Sequence, residues 1–308
     1  AARGGAESSL QGDLKLSLLN LFHGGENASL LYSGDKTFQK FNVSAAKPWL
    51  MGTPITGSGA FCLEIHENSY GYLCAEAAAL VEIRQQWHSG ISVTGTETIL
   101  DSVNQSWRYY GADFILSRPQ EPLRDNVRSS EFSLVTGGGV AVREKNSSRT
   151  HADFTAGIHA PVWNHLAVHC RIASKHLITG EETLAAAEMY RVGGGSGTTA
   201  DGESNQVRGY GVNEFAFRTV TLGQLEYLFY FSSAGSVYAF TDGGIGFQQS
   251  LTLARWSDRR EFLGYGVGIR VPAMLGFLTL EWARTINDTR STGRIQVIIQ
   301  NALGARMQ

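Results

Sequence analysis

Proline, cysteine and long apolar runs are all scarce in this chain. It has 6 prolines and 3 cysteines in 308 residues, and no apolar run reaches the roughly 18 residues that mark a membrane helix. Ordinary helical spans are thereby excluded. A transmembrane barrel is not, because each of its strands needs only about ten alternating residues. Charge of one sign is lacking too: 26 basic against 28 acidic side chains leave a net charge of −2, so bulk nucleic-acid binding is not expected. Cys62, Cys74 and Cys170 have neither metal-ligand spacing nor the density of a disulfide scaffold. The opening "AARGGAESS" shows no charged n-region or apolar h-region, so no signal peptide is expected within it. Glycine is what the chain has in quantity, 36 residues, which suits bends and close backbone approaches in a β-rich protein.

The pattern that fills the chain is alternation with period two, the mark of strands whose side chains point to opposite faces. In "HLAVHCRIAS", Leu166, Val168, Cys170 and Ile172 share one face, and Ala167, His169, Arg171 and Ala173 the other. "GYGVGIRV" sets Tyr265, Val267, Ile269 and Val271 against Gly264, Gly266, Gly268 and Arg270. "GRIQVIIQN" sets Ile295, Val297 and Ile299 against Arg294, Gln296 and Gln300. Leu278, Leu280 and Trp282 oppose Thr279 and Glu281, and the stretch from Leu73 to Ile83 repeats the pattern against Tyr72, Cys74, Glu76 and Glu82. A soluble sandwich would alternate in the same way. Two features favour a barrel with a lipid-facing outside. The strands often run to ten or more residues, and their second face mixes glycine and alanine with charge instead of carrying a Lys/Glu-rich solubilising surface. Trp49, Tyr70, Trp87, Trp107, Tyr109, Trp163, Phe231 and Trp282 fall near strand ends, as an interfacial girdle would place them; core aromatics of a soluble β-protein are the plain alternative.

Reading back from the carboxyl end, long polar links alternate with short ones, as in outer-membrane barrels. About fifteen strands are counted, one short of the usual even number. The expected fold is therefore all-β: an antiparallel transmembrane barrel of about 15–16 strands, with its longest loop, residues 179–214, folded into the lumen. "GEETLAAAEMY" at 180–190 is the one stretch with the look of a short helix.

That loop ends in "NQVRGYGVNEF". In "QLEYLFYF", Leu225, Tyr227, Phe229 and Phe231 make the outward set and leave Gln224 and Glu226 on the lumen face; in "VYAFTDGGIGF", Asp242 shares a face with Tyr238 and Phe240. Two carboxylates in a partly dry lumen need a counter-charge. Arg208, whose planar fork suits carboxylates, is the candidate.

These residues carry a resemblance. "YRVGGG…QVRGYG" (Tyr190 to Gly195 and Gln206 to Gly211), "FTDGG" at 240–244, the Glu-bearing "LEYLFYF" and the early "GDLKLSLLNLFHGGENASLLYSG…FNVSAAKPWL" resemble the Omp85 superfamily of outer-membrane insertases and translocases, which includes bacterial BamA and mitochondrial Sam50. The resemblance spans nearly the whole chain. It implies one barrel domain of the bacterial-surface-antigen type over residues 1–308, with its first strand in or before residues 1–11, truncated or differently formed, and with the POTRA domains that usually precede it absent from the chain. It implies a loop motif of Val207, Arg208, Gly209 and Tyr210, paired loop glycines Gly193 and Gly194, and Glu226 and Asp242 as lumenal partners of Arg208. A lateral seam between first and last strands would involve Ile295, Val297 and Ile299. The implied function is nucleotide-free and cofactor-free insertion of β-barrel precursors into an outer membrane, with accessory subunits and lipids as partners and no enzymatic activity. "KPW" and "NLFHGGEN" resemble the Sam50 branch, which favours mitochondria over Gram-negative or plastid outer membranes. A protein-conducting pore, Toc75-like or of the two-partner-secretion type, is the rival, and a barrel that only anchors a soluble domain is a third reading.

Other groupings say less. "GYGVGIR" resembles a dinucleotide-binding glycine motif but lies in an alternating strand, where its glycines would leave space for the inserted loop. His151, His159, His165 and His169 share one hairpin without a ligand set, which suits lumen lining better than a metal site, and no nucleophile elbow is present. Cys62 and Cys74 lie symmetrically about "NSY", so a hairpin there could place them opposite each other as a cross-strand disulfide; two free lumenal thiols are the alternative.

Overall fold

The structure, a computed structural model, describes residues 12–20, 22–34, 38–67, 69–84, 86–100, 105–118, 127–143, 146–180, 184, 188–194, 205–211, 214–232, 235–249, 258–273, 276–286 and 293–301. The first ten strands are β1 (Gly12–Leu19), β2 (Asn27–Gly34), β3 (Phe38–Lys47), β4 (Ile55–His66), β5 (Tyr70–Arg84), β6 (Trp87–Leu100), β7 (Gln105–Arg118), β8 (Ser129–Val142), β9 (Ser147–Trp163) and β10 (Leu166–Thr179). Two short strands follow, β11 (Tyr190–Val192) and β12 (Phe215–Phe217), then β13 (Thr219–Tyr230), β14 (Ser236–Phe247), β15 (Arg260–Ala273), β16 (Gly276–Thr285) and β17 (Arg294–Asn301).

β1 to β10 and β13 to β17 form a closed barrel, while β11 and β12 pair only with each other. Among the described residues the wall has fifteen strands, and every sequential pair in it is antiparallel. An odd number of strands alternating in direction brings the last back parallel to the first. The closing pair β1–β17 is accordingly parallel, which corrects the expectation of an antiparallel barrel throughout. The implied first strand, in or before residues 1–11, lies outside the described residues.

The alternation maps onto the wall as expected. Tyr227, Phe229, Val267, Ile269, Leu280, Ile91 and Val93 are exposed on the outside. Leu228, Tyr230, Tyr238, Phe240, His169 and Glu281 are buried on the inside. The charged Arg108 and Glu97 stand opposite each other near the ends of β7 and β6 and pair at 3.2 Å.

Two expectations are corrected. Tyr70 is buried, and Tyr109 borders an inner cavity, with Trp107 on the same face of β7 under the Arg143 guanidinium, 3.8 Å from its ring centre. The girdle therefore loses Tyr70, Trp107 and Tyr109 and keeps Trp49, Trp163, Phe231 and Trp282 as exposed members, the first three at the end of the barrel where β3, β9 and β13 finish. Secondly, the alternation of long and short links holds from β9 onward but fails earlier: residues 119–128 join β7 to β8 at the end where 164–165 join β9 to β10. Cys62 and Cys74 are register partners joined in a disulfide with Cα atoms 5.0 Å apart, which decides between the crosslink and the two free thiols that the sequence allows. Most of 180–190, read as a short helix, lies outside the described residues.

Candidate functional site: a loop held inside the barrel by arginine

The described segments between β10 and β13, residues 188–194 and 205–211, lie inside the lumen. The two limbs of the loop are zipped by β11 and β12, where Tyr190 pairs with Phe217, Arg191 with Ala216 and Val192 with Phe215. An isolated bridge between Gly194 and Val207 adds a second tie. Gly193, Gly194 and Gly209 have φ of 124°, 93° and 94°, a region that side chains disfavour. Space forbids a side chain as well: a Cβ on Gly193 would come within 2.3 Å of the Gly211 carbonyl. Val192 and Val207 are fully buried and pack with Tyr210, Phe215, Phe217, Val220, Leu222 and Phe262 in one apolar cluster. Burial of these side chains drives the loop into the barrel; the glycines let its backbone follow.

Arg208 is 2% exposed and uses every nitrogen of its guanidinium. Nε and Nη2 donate to Asp242 Oδ2 and Oδ1 at 2.7 and 2.6 Å, a bidentate fork, and the Arg208 backbone N–H donates to Oδ2 at 3.0 Å. Nη1 donates to Glu226 Oε1 at 2.5 Å and to Glu281 Oε1 at 3.3 Å. The Phe240 ring lies under the guanidinium, 3.6 Å from Cζ. One cation thus joins carboxylates on β13, β14 and β16, and the backbone reaches β15: a Cβ on Gly264 would stand 1.9 Å from the Arg208 carbonyl oxygen. Gly266 and Gly268 make room for something else, the Phe240 and Tyr238 rings.

Both expected partners of Arg208, Glu226 and Asp242, are therefore in place. Glu281 was read as a polar-face residue but not as a partner. Its signal in the sequence is its parity with Thr279, which puts it on the lumen side of the strand beside "GYGVGIR". Glu281 also accepts from the Tyr238 hydroxyl at 2.6 Å, and His169 Nδ1 lies 3.6 Å from Glu226. Tyr210 packs edge-on against Phe215, and its hydroxyl accepts the Leu263 N–H at 3.3 Å. His159 and His169 line the lumen within 6.3 Å of each other, His151 sits 3.3 Å from Asp113, and His165 lies in the β9–β10 turn.

The seam is short. β1 and β17 share three register positions, Asp13 with Ile298, Leu14 with Ile299 and Lys15 with Gln300, whereas β1–β2 and β16–β17 share eight each. Of the three expected seam residues, only Ile299 stands in register with β1. Its side chain lies outside the described residues. Ile295 and Val297 are 70% and 52% exposed on the outer wall opposite Trp282 and Leu280, in the part of β17 that precedes the contact with β1. The inner loop reaches this strand through Glu214, 3.9 Å from Arg294.

No protein-family model and no curated protein matches the sequence. Among solved structures, the chain is similar to BamA from Haemophilus ducreyi lacking POTRA domains 1-3, with a TM-score of 0.58 at 12% identity over 93% of this chain and 65% of that one. It is also similar to CdiB from Acinetobacter baumannii, with a TM-score of 0.61 at 14% identity over 90% of this chain and 53% of the other. The chain spans less than two thirds of either structure. The chain shares its barrel fold with these two structures.

Proposed function

We propose that this chain is the membrane-spanning barrel of an outer-membrane protein that admits β-strands of precursor proteins at the β1–β17 seam. Membrane embedding is supported by the outer wall, where Tyr227, Phe229, Val267, Ile269, Leu280 and Val297 form a continuous apolar surface. Soluble monomers rarely expose patches beyond a few hundred Å², and lipid would cover this one.

The observation that carries the insertase reading is the seam. Among the described residues three register positions hold the barrel shut, and the preceding edge of β17 has no partner strand. Such an edge is a template for another strand. Opening the seam loses few backbone hydrogen bonds, because the described pairing is short, while the Arg208 cluster and the Glu214–Arg294 contact keep β13 to β17 in shape from within. β-barrel precursors, accessory subunits and lipids are the partners this reading requires, and no catalysis is asked of the chain.

The branch and the compartment rest on less. "KPW" and "NLFHGGEN" support a mitochondrial Sam50-like placement, while the two solved structures come from bacteria. A protein-conducting pore is the second reading. It is favoured by two lumenal cavities of about 290 and 460 Å³ lined by charged and polar side chains.

Locking the seam separates the two. Leu14→Cys with Ile299→Cys, in a Cys170→Ser background, joins register partners of β1 and β17. The insertase reading expects oxidation to abolish precursor insertion in a reconstituted or depletion-rescue assay, with restoration by reductant. Undiminished insertion through a locked seam would transfer support to the pore.

A further inference from the structure

Arg208 fixes the returning limb of the loop to one side of the wall. The other limb carries its own arginine, Arg191, which points elsewhere. Its Nη1 donates to the Tyr70 hydroxyl, and its Nη2 lies 3.4 Å from Glu64 Oε1. The Tyr70 hydroxyl donates in turn to the same Glu64 oxygen at 2.6 Å. Lys40 Nζ stands 3.7 Å from the other oxygen, so one buried carboxylate is shared by two cations and a phenol. These groups sit on β3, β4 and β5. From β4 to β14 the ring passes seven strands one way (β5 to β10 and β13) and six the other (β3, β2, β1, β17, β16 and β15), so the two anchor points face each other across the lumen.

The flanking residues of this limb hold it along the way. The Tyr190 hydroxyl donates to Asp153 Oδ1 at 2.5 Å, and Glu188 accepts from Arg149 at 2.9 Å and from Arg143. Tyr190 borders both lumenal cavities. The limb therefore stands between two spaces that would otherwise run together.

We propose that Arg191 is a second positioning residue of the inner loop, making it a strut across the barrel whose Tyr190–Val192 limb partitions the lumen. The two ends differ in strength. Arg208 meets three carboxylates with all three nitrogens and its backbone N–H, whereas Arg191 reaches one carboxylate that Lys40 also engages. The Arg191 end is the one that releases first, and its release merges the cavities into a wider path while the Arg208 end stays docked.

The membrane part of this inference rests on the reading of the barrel as membrane-spanning, so its test has two arms. In detergent, hydrogen exchange is followed in wild type, Arg191→Ala and Glu64→Gln. Exchange over Tyr190–Val192 should rise about tenfold in both variants, the scale of losing one hydrogen bond to a charged group, with Val207–Tyr210 still protected. In planar bilayers Arg191→Ala should raise single-channel conductance, and the swap Arg191→Glu with Glu64→Arg should lower it again. Failure of wild type to insert into bilayers would sink the membrane reading alone, because exchange still decides the anchor. Unchanged exchange in both variants would overturn the proposal, as would equal loss of protection in both limbs.

Discussion

The two arcs of the barrel are built from the same alternating strands yet held in different ways. Around β10 and β13 to β16 the lumen is filled: Val207, Phe215, Phe217, Val220, Leu222 and Phe262 pack against one another, and Arg208 gathers three carboxylates. Around β3 to β9 the lumen is open, and its side chains form pairs such as Lys40–Glu64 and His151–Asp113 beside the cavities. An open arc has no core to pack. There the backbone ladder carries the wall, and the Cys62–Cys74 crosslink supplements it. The filled arc includes the strands next to the seam, so the inner loop stiffens the edge at which strands would be admitted.

Substitutions should affect the arcs unequally. The largest effect is expected from Arg208→Ala, which leaves Asp242, Glu226 and Glu281 buried without their counter-charge, at a cost of about 3–5 kcal/mol. Thermal loss of the folded, compact gel mobility in detergent would report it. Cys62→Ser with Cys74→Ser removes the covalent tie of the open arc and should cost about 2–4 kcal/mol in the same assay. Wild type in reductant should behave alike. Gly264→Ala drives a methyl into the Arg208 carbonyl and should cost about 1–3 kcal/mol; Gly71→Ala, with open space at its Cβ position, is the control and should be near neutral. Smallest of all is Glu97→Gln on the open arc. It breaks a partly exposed pair with Arg108 and should change stability by about 1 kcal/mol or less.

Which side of each strand faces inward was legible in the sequence, because period two survives whatever fills the lumen. Leu225, Tyr227 and Phe229 against Gln224 and Glu226 needed no structure to sort. The Arg208 pairing followed from the same parity, since two inward carboxylates on adjacent strands require a cation. What parity cannot supply is distance across the barrel. Glu281, on β16, and the Arg191–Glu64–Tyr70 cluster join residues far apart in the chain, and no local pattern encodes such contacts. Tyr70, Trp107 and Tyr109 were assigned to an outer girdle because an aromatic near a strand end suits either face. The parallel closure follows from an odd strand count, and the sequence leaves that count open by one.

The most direct test of the inner brace is the unfolding midpoint of Arg208→Lys against wild type in the same detergent. Lysine keeps the charge but cannot form the two-pronged bond to Asp242. A midpoint well below wild type, close to that of Arg208→Ala, is expected. Equal midpoints for Arg208→Lys, Arg208→Ala and wild type would contradict an arginine-braced barrel.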